Sequence, residues 1–345
     1  VPLAKLPRLK LISTPSPLSS LPELAKELGV ETFHVKRDDL LPVFFGGSKV
    51  RKLDYLLATE PYASSKALVG IGAIGSGLLV ALSSAAAYLR KPLHVHCFHE
   101  AIDPQVLDNL AFIASRAEQI HFYGSRMSMA LARPRLFTGP LLDGNAIVPP
   151  GATNVAGMGG IVAASLELAE QIKKGELPAP QRVYVALGSG GTAVGLSVGL
   201  ALAGIRAELH AVTAIEKPFS RQPYLQKLST ELIAWLTRHG VSGISGLRPL
   251  PISLDRNALG PGYGIPTVDS LAACDRLRRH GIQLEPIYSG KAMAALLQGF
   301  SSQAATSNKS LKHVLFWQTN RGAGPRIDKP WFDRLPPDLK NEMRL

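Results

Sequence analysis

Five short stretches of this chain carry residue types and spacings suited to chemistry. The first is Gly188-Ser189-Gly190-Gly191-Thr192, set between an apolar β-type run, Val183 to Leu187, and an apolar helical run, Ala193 to Ala203. Small residues let several backbone N–H groups point at one anion, and the start of the helix adds positive potential. Thr192 supplies a hydroxyl. This makes a phosphate cup, against the simpler alternative of a tight strand-to-helix turn with no ligand. The cup alone does not name its ligand. Gly188, Gly190 and Ala193 also fit the G-x-G-x-x-A dinucleotide fingerprint, with Glu216 about 20 residues on. No Gly-Lys-Ser/Thr follows, so it is not a P-loop.

The second stretch is Phe44-Phe45-Gly46-Gly47-Ser48-Lys49-Val50-Arg51-Lys52. Two glycines open a helix with Lys49 in its first turn, and Lys52, three residues on, shares its face. A cation beside a cation, behind two phenylalanines, has the depressed pKa that an amine nucleophile needs. The alternative is a basic helix start at the surface, an arrangement the helix dipole disfavours. The third stretch, Gly72-Ala73-Ile74-Gly75-Ser76-Gly77, is another strand-to-helix turn, able to hold a carboxylate with N–H groups and the Ser76 hydroxyl, or to be a plain turn. The fourth, Glu285-Pro286-Ile287-Tyr288-Ser289-Gly290-Lys291, opens a helix with Ser289 as the expected cap; Tyr288 is a site residue or a core aromatic. In the fifth, His94 and His96 share one face of a strand around Cys97, but no acids or cysteines follow at zinc-site spacing, so no metal is expected.

The elements that position these residues alternate between β runs and helices, the pattern of parallel sheets. Strands are predicted at 32–37, 67–71, 93–98, 120–123, 183–187, 209–213 and 314–317. Helices are predicted at 48–57, 78–89, 104–114 and 154–173. Residues 243–264, rich in Gly and Pro, read as a long functional loop.

Composition bounds the rest. The 345 residues suit one large or two medium domains. Charged residues make up 19%, below the roughly 25% of soluble domains, and 46% are hydrophobic, which excludes a disordered chain. Residues 67–89 and 183–205 carry no charge and would pass a membrane-span length test. Their glycine clusters break any single helix, so both read as buried strand–turn–helix units. Residues 1–12 mix apolar and basic residues, and no leader is expected. The two cysteines form no CxxC pair, and a cytoplasmic protein is the default. The net charge of +12 is scattered rather than blocked with aromatics, which argues against nucleic-acid binding and suits an anionic cofactor or substrate.

A candidate amine nucleophile, a later glycine cup and a Tyr-Ser-Gly-Lys helix start occur together here. The chain thereby resembles the pyridoxal-phosphate enzymes of the tryptophan-synthase-β fold type, and within them the D-cysteine desulfhydrase and aminocyclopropane-carboxylate deaminase family. The matching stretches are Val35 to Asp39, Gly46 to Lys52, Gly151 to Asn154, Gly188 to Thr192, Tyr263-Gly264 and Glu285 to Lys291.

The resemblance implies an α/β, two-domain, three-layer parallel-sheet fold with pyridoxal 5'-phosphate in the interdomain cleft. Residues 1–50 plus 156–345 would form the larger domain and 51–155 the smaller. Lys49 would bind the cofactor covalently and move protons. Gly188, Ser189, Gly190, Gly191 and Thr192 would hold its phosphate with Lys52, and Ser289 would meet the pyridine nitrogen. Ser76 and Gly77 would hold the substrate carboxylate; Tyr263 and Tyr288 would line the substrate side. The family's deaminases carry Glu at the Ser289 position; a serine leaves the ring nitrogen neutral and favours β-elimination from a small amino acid over cyclopropane opening. A homodimer is implied as well.

Three departures surround the site. The family Asn after the loop serine is Gly77, the Asn before the lysine is Ser48, and a His-Thr-Gly-Gly is replaced by Gln318-Thr319-Asn320-Arg321. Arg321 could recognise an extra carboxylate on the substrate. The alternatives are aminocyclopropane-carboxylate opening with Tyr288 as nucleophile, a nicotinamide oxidoreductase built on 188–193, and a cofactor-binding protein with little catalysis.

Overall fold

The alternating runs build two separate sheets in the computed structural model, which describes residues 3–216, 220–303, 311–322, 324, 327 and 331–343. In chain order the strands are β1 (Leu18–Ser20), β2 (Thr32–Arg37), β3 (Leu68–Ala73), β4 (Leu93–Phe98), β5 (Gln119–Tyr123), β6 (Leu141–Leu142), β7 (Asn145–Val148), β8 (Arg182–Leu187), β9 (Glu208–Thr213), β10 (Ile252–Asp255) and β11 (His313–Gln318). The α-helices are α1 (Pro22–Leu28), α2 (Ser48–Leu56), α3 (Gly77–Leu89), α4 (Pro104–Arg116), α5 (Arg126–Ala132), α6 (Val155–Lys173), α7 (Gly191–Leu202), α8 (Gln222–Arg238), α9 (Val268–Arg278), α10 (Ser289–Gln303) and α11 (Pro337–Glu342).

One sheet has the order β1-β2-β11-β8-β9-β10, the other β5-β4-β3-β7-β6. All pairings are parallel except β1 with β2 and β6 with β7, both at sheet edges. The sequence did not announce β1, β6, β7 or β10. β1, β6 and β10 are short edge strands whose side chains bury too little to leave an apolar pattern; β7 is interior and buried but only four residues long, just before Pro149-Pro150. β10 falls inside the expected 243–264 loop.

Both uncharged stretches are strand–turn–helix units: β3 into α3 and β8 into α7. Parallel strands covered on both faces need apolar residues on both faces, and β3 and β8 are buried almost throughout. Helix α6 is long and apolar enough to cross a membrane by length and composition; here 61% of that stretch is buried. Its partners approach closely at glycines. A Cβ on Gly160 would overlap the Arg51 carbonyl of α2, and one on Gly195 of α7 would lie 2.5 Å from Ile161 Cβ.

The core of the larger sheet includes Val185, Leu196, Leu232 and Trp317; that of the smaller includes Leu68, Leu79, Val95 and Ile113. Leu335 and Leu339, near the end of the chain, pack into the smaller sheet's core. A buried ion network braces α2 from behind. Arg51 Nε donates to Asp38 Oδ1 at 2.9 Å, and both Nη atoms reach Glu167 at 2.9 and 3.0 Å. Lys36 Nζ meets Glu167 at 2.5 Å, and Trp317 Nε1 donates to Asp38 at 2.9 Å. Two cations against two anions make the cluster neutral, which is what permits its burial.

Candidate active site

The carboxyl ends of β3, β4, β8 and β11 open onto a single cavity of about 320 Å³, the place where α/β folds collect ligands. It is lined by Lys49, Lys52, Gly72, Gly75 to Gly77, Glu100, Arg126, Gly188 to Gly190, Thr192, Tyr263, Tyr288 and Arg321, among others. All the site residues expected from sequence therefore line it, apart from Gly191 and Ser289.

The segment leading to Lys49 is conformationally costly. Phe44, Phe45, Gly46 and Gly47 are all left-handed, with φ of 48°, 65°, 69° and 88°. For the two phenylalanines this is strain, on the order of 1–3 kcal/mol each. Backbone hydrogen bonds hold it: Gly47 N–H to Asp38 O at 2.7 Å, Gly322 N–H to Phe45 O at 2.7 Å and Ser48 N–H to Thr319 O at 3.1 Å. A Cβ on Gly46 would lie 2.6 Å from Asp39 O, so only glycine fits.

Burial lowers the pKa of Lys49, with Glu285 and Asp38 pulling the other way. The lowered Lys49 amine is as expected, with burial the largest cause; Lys52, 1% exposed, is pushed well below its usual value by burial and then by repulsion between the two amines. Both amines face the cavity, and Lys52 Nζ donates to Gly151 O at 3.1 Å.

Between β8 and α7, Gly190 takes φ +86° and starts the helix with no side-chain cap, so the first N–H groups of α7 stay available. A Cβ on Gly191 would lie 3.1 Å from Lys52 Nζ, which sets the amine against this turn. The Thr153 and Ser189 hydroxyls meet at 2.7 Å and Tyr224 donates to Ser189 O at 3.2 Å, bracing the turn from outside. An uncapped helix start, a glycine backbone and a buried amine form a site for a dianionic phosphate, and a partly desolvated lysine lies beside it. The residues fit pyridoxal phosphate.

The Ser76 hydroxyl does not cap α3 although it sits at the cap position, and Gly77 follows with no atom within 4 Å of where its Cβ would be. The same loop receives a carboxylate the sequence reading missed. Glu100, just beyond β4, accepts from Gly75 N–H at 2.6 Å, and burial pushes its pKa up to about 7. Its place at the carboxyl end of a parallel strand is the signal that could have flagged it.

Tyr288 packs against Gly188, where a Cβ would lie 2.9 Å from its ring, and its centroid is 6.1 Å from that of Tyr263. Burial raises both phenols, Tyr263 to about 12, so both are neutral donors near pH 7. The guanidinium of Arg126 stacks on Tyr263 at 5.0 Å. The expected Ser289 cap is corrected by the structure: Glu285 caps α10. Its carboxylate accepts from the N–H groups of Ile287, Tyr288 and Ser289 at 2.6–3.1 Å, because a carboxylate four residues upstream reaches all three. Ser289, 1% exposed, bonds to Glu285 through its hydroxyl.

Two other sequence signals resolve locally. Glu216, the would-be ribose ligand, is engaged by Tyr263 N–H at 2.7 Å. His96 stacks on His121 at 4.6 Å and bonds to Tyr123 Oη at 2.9 Å, while His94 faces Glu118 at 3.5 Å.

Comparison with known proteins agrees with this geometry. A family model described as pyridoxal-phosphate dependent enzyme matches residues 9–316. D-cysteine desulfhydrase of Klebsiella pneumoniae subsp. pneumoniae is 33% identical over 320 residues, 87% of this chain and 90% of that protein. The Serratia proteamaculans enzyme of the same name is 33% identical over 314 residues, with the same coverage. Among solved structures, an ACC deaminase homologue superposes with a TM-score of 0.77 at 25% identity, covering 92% of this chain and 93% of the other. A fungal L-serine ammonia-lyase from Rhizomucor miehei shares the fold, with a TM-score of 0.63 at 16% identity, covering 97% and 99%.

Proposed function

Since the chain belongs to the pyridoxal-phosphate dependent enzymes, we propose that it is a lyase that eliminates a β-substituent from a small amino acid, as its D-cysteine desulfhydrase relatives are named for doing. One observation carries the reading: a desolvated lysine, an uncapped glycine cup and a carboxylate loop converge on one cavity.

The cofactor, when bound, supplies an aldehyde that captures an amine and a ring that draws electron density from the substrate Cα. In our reading Lys49 holds it and, once displaced by substrate, takes the Cα proton. Residues 188–192 and Lys52 hold the phosphate; Ser76 and the N–H groups of its loop hold the substrate carboxylate. Tyr263 and Tyr288, as neutral phenols, hydrogen-bond the departing group. Loss of the Cα proton and of the Cβ substituent with its electron pair leaves 2-aminoacrylate, which water converts to a 2-oxo acid and ammonia.

By resemblance Ser289 is assigned to the pyridine nitrogen, where a neutral hydroxyl suits departure of thiolate better than ring opening; it lies just behind the cavity lining with its hydroxyl bonded to Glu285. The likeness to an ACC deaminase homologue supports a second reading, in which aminocyclopropane-carboxylate is opened with Tyr288 as nucleophile. The proposal also includes the division into 1–50 with 156–345 and 51–155, except that Leu335 and Leu339 join the smaller sheet's core, a homodimer and a cytoplasmic location; sedimentation of the purified protein tests the dimer.

The central test is spectroscopic. Protein mixed with pyridoxal phosphate should show a visible absorbance band that Lys49→Ala abolishes, and should release 2-oxo acid from D- or L-cysteine or β-chloroalanine. Release only from aminocyclopropane-carboxylate selects the second reading. A band with no turnover of any amino acid makes the chain a binding protein, and no band sinks the proposal.

A further inference from the structure

The cavity presents more cation than the proposed reaction uses. The cofactor phosphate is matched by Lys52 and the α7 start, and the substrate α-carboxylate by the loop at Ser76. Arg321 remains. It lines the cavity, and burial lowers its pKa because no carboxylate compensates the loss of water; Asp108 offsets this only in part. Each Nη atom gives one of its two N–H groups to a neutral acceptor, Nη1 to Gly322 O at 2.8 Å and Nη2 to Asn109 Oδ1, which leaves Nε–H and one N–H on each Nη for a ligand. Among the described residues no carboxylate oxygen is paired with it within 4.0 Å, and its Nε–H is buried without a partner.

Among the described residues, buried side-chain atoms without a partner also occur at Arg8, Ser83 and Thr213, but three, Gln318 Oε1, Asn320 Oδ1 and Arg321 Nε, lie in one four-residue segment ending at the cavity. Buried polar atoms are normally paired; of these three, Arg321 Nε is the donor that a carboxylate can satisfy, whereas the two amide oxygens are acceptors. The three acids that line the cavity are already engaged: Glu100 by Gly75 N–H, Asp103 by Val106 N–H at the start of α4, and Glu285 by three N–H groups at the start of α10. The second guanidinium at the cavity, Arg126, is exposed and lies over Phe98 and Tyr263 at 5.3 and 5.0 Å.

Arg321 is also tied to the carboxylate loop, since Asn109, which it bonds, donates through Nδ2 to Gly75 O at 2.7 Å. Next to that loop the wall is open at Gly77, where a Cβ would meet nothing within 4 Å. A substrate held by its α-carboxylate therefore has both room and an unmatched guanidinium within the same cavity.

We infer that Arg321 selects amino acids whose β-substituent carries its own carboxylate, so that the substrate class is dicarboxylic rather than cysteine itself. The inference rests on the lyase reading above. For an S-(carboxyalkyl)cysteine the Cα–H and Cβ–S bonds break and Cα=Cβ forms. The sulfur leaves with its electron pair as a carboxylate-bearing thiolate, and water hydrolyses the enamine to pyruvate and ammonia. A planar guanidinium pairs with a carboxylate by two parallel hydrogen bonds, which a neutral amide cannot match.

The test compares S-(carboxymethyl)cysteine with its neutral isostere S-(carbamoylmethyl)cysteine, each as both enantiomers, with pyridoxal-phosphate-loaded protein. The acid should exceed the amide in kcat/KM by about tenfold or more, the scale of one charge-assisted pair. Arg321→Gln should bring that ratio to about one, and Arg321→Lys should restore part of it. A second readout needs no turnover and no variant: 2-aminoadipate should perturb the cofactor absorbance at about tenfold lower concentration than its 6-amide. An acid-to-amide ratio near one in the unaltered protein, or an equal loss for both compounds in Arg321→Gln, overturns the inference and leaves Arg321 as a prop for Asn109. Those results keep elimination intact, so they are distinct from a missing band or absent 2-oxo acid release, which would sink the lyase reading itself.

Discussion

Replacing Gly160 by Ala tests how α6 positions the candidate lysine. Gly160 is helical with ordinary dihedrals, so the change would normally stabilise the helix by about 1 kcal/mol. Here the added Cβ would lie 2.7 Å from the Arg51 carbonyl carbon, closer still to its oxygen, and 3.1 Å from Tyr55 Cδ2. The carbonyl is backbone and the interior holds no slack, so α2 and α6 must separate by roughly 1 Å. Such overpacking costs about 1–3 kcal/mol, which cancels or exceeds the propensity gain. Arg51 lies two residues after Lys49 on the same helix, and a misplacement of about 1 Å at a reacting group lowers rate by roughly 100-fold. The expected outcome is a urea midpoint equal to or below that of the unaltered protein and kcat/KM down by about two orders of magnitude. Gly299→Ala in α10 is the control, because among the described residues its Cβ would meet Tyr184 Oη at an ordinary 3.8 Å, and it should gain about 1 kcal/mol. If Gly160→Ala is stabilised as much as the control and keeps its activity, the close approach of α2 and α6 does not position Lys49 and the reasoning fails.

Three further outcomes follow from the site and its supports. Lys52 is held well below its usual pKa, so a bound phosphate must raise it and take up a proton; affinity for 4′-deoxypyridoxine 5′-phosphate, which has no aldehyde, should fall as pH rises from 7 to 9, and Lys52→Gln should flatten the slope in a calorimetric titration. Thr153→Val keeps the shape but removes the 2.7 Å bond to Ser189, and should weaken cofactor binding about fivefold, a loss of about 1 kcal/mol. Burial, and then the charges of His121, Arg133 and His94, lower His96 from 6.5 to about 4. The unfolded chain then binds the extra proton first, so stability present above pH 6.5 is lost as pH falls toward 4, by up to about 3 kcal/mol. Urea midpoints at pH 7 and 5 should show that slope, and His96→Gln should reduce it.

Local residue patterns were enough to read the elements that carry strong signals. The two uncharged units were legible because strands buried on both faces must be apolar and because glycine turns interrupt them. Lys49, the 188–192 cup, Ser76 and Tyr288 were legible because each sits at a helix start with its own small-residue signature. Tertiary structure alone decided what joins distant segments. It set Glu100 against Gly75 N–H, gave the α10 cap to Glu285 rather than Ser289, and made burial the largest cause of the lowered Lys49 amine. It also left Arg321 beside Asn109 with its Nε unmatched. Hydrogen-bond partners and desolvation depend on which residues a fold brings within a few ångströms, and no periodicity along the chain encodes that distance.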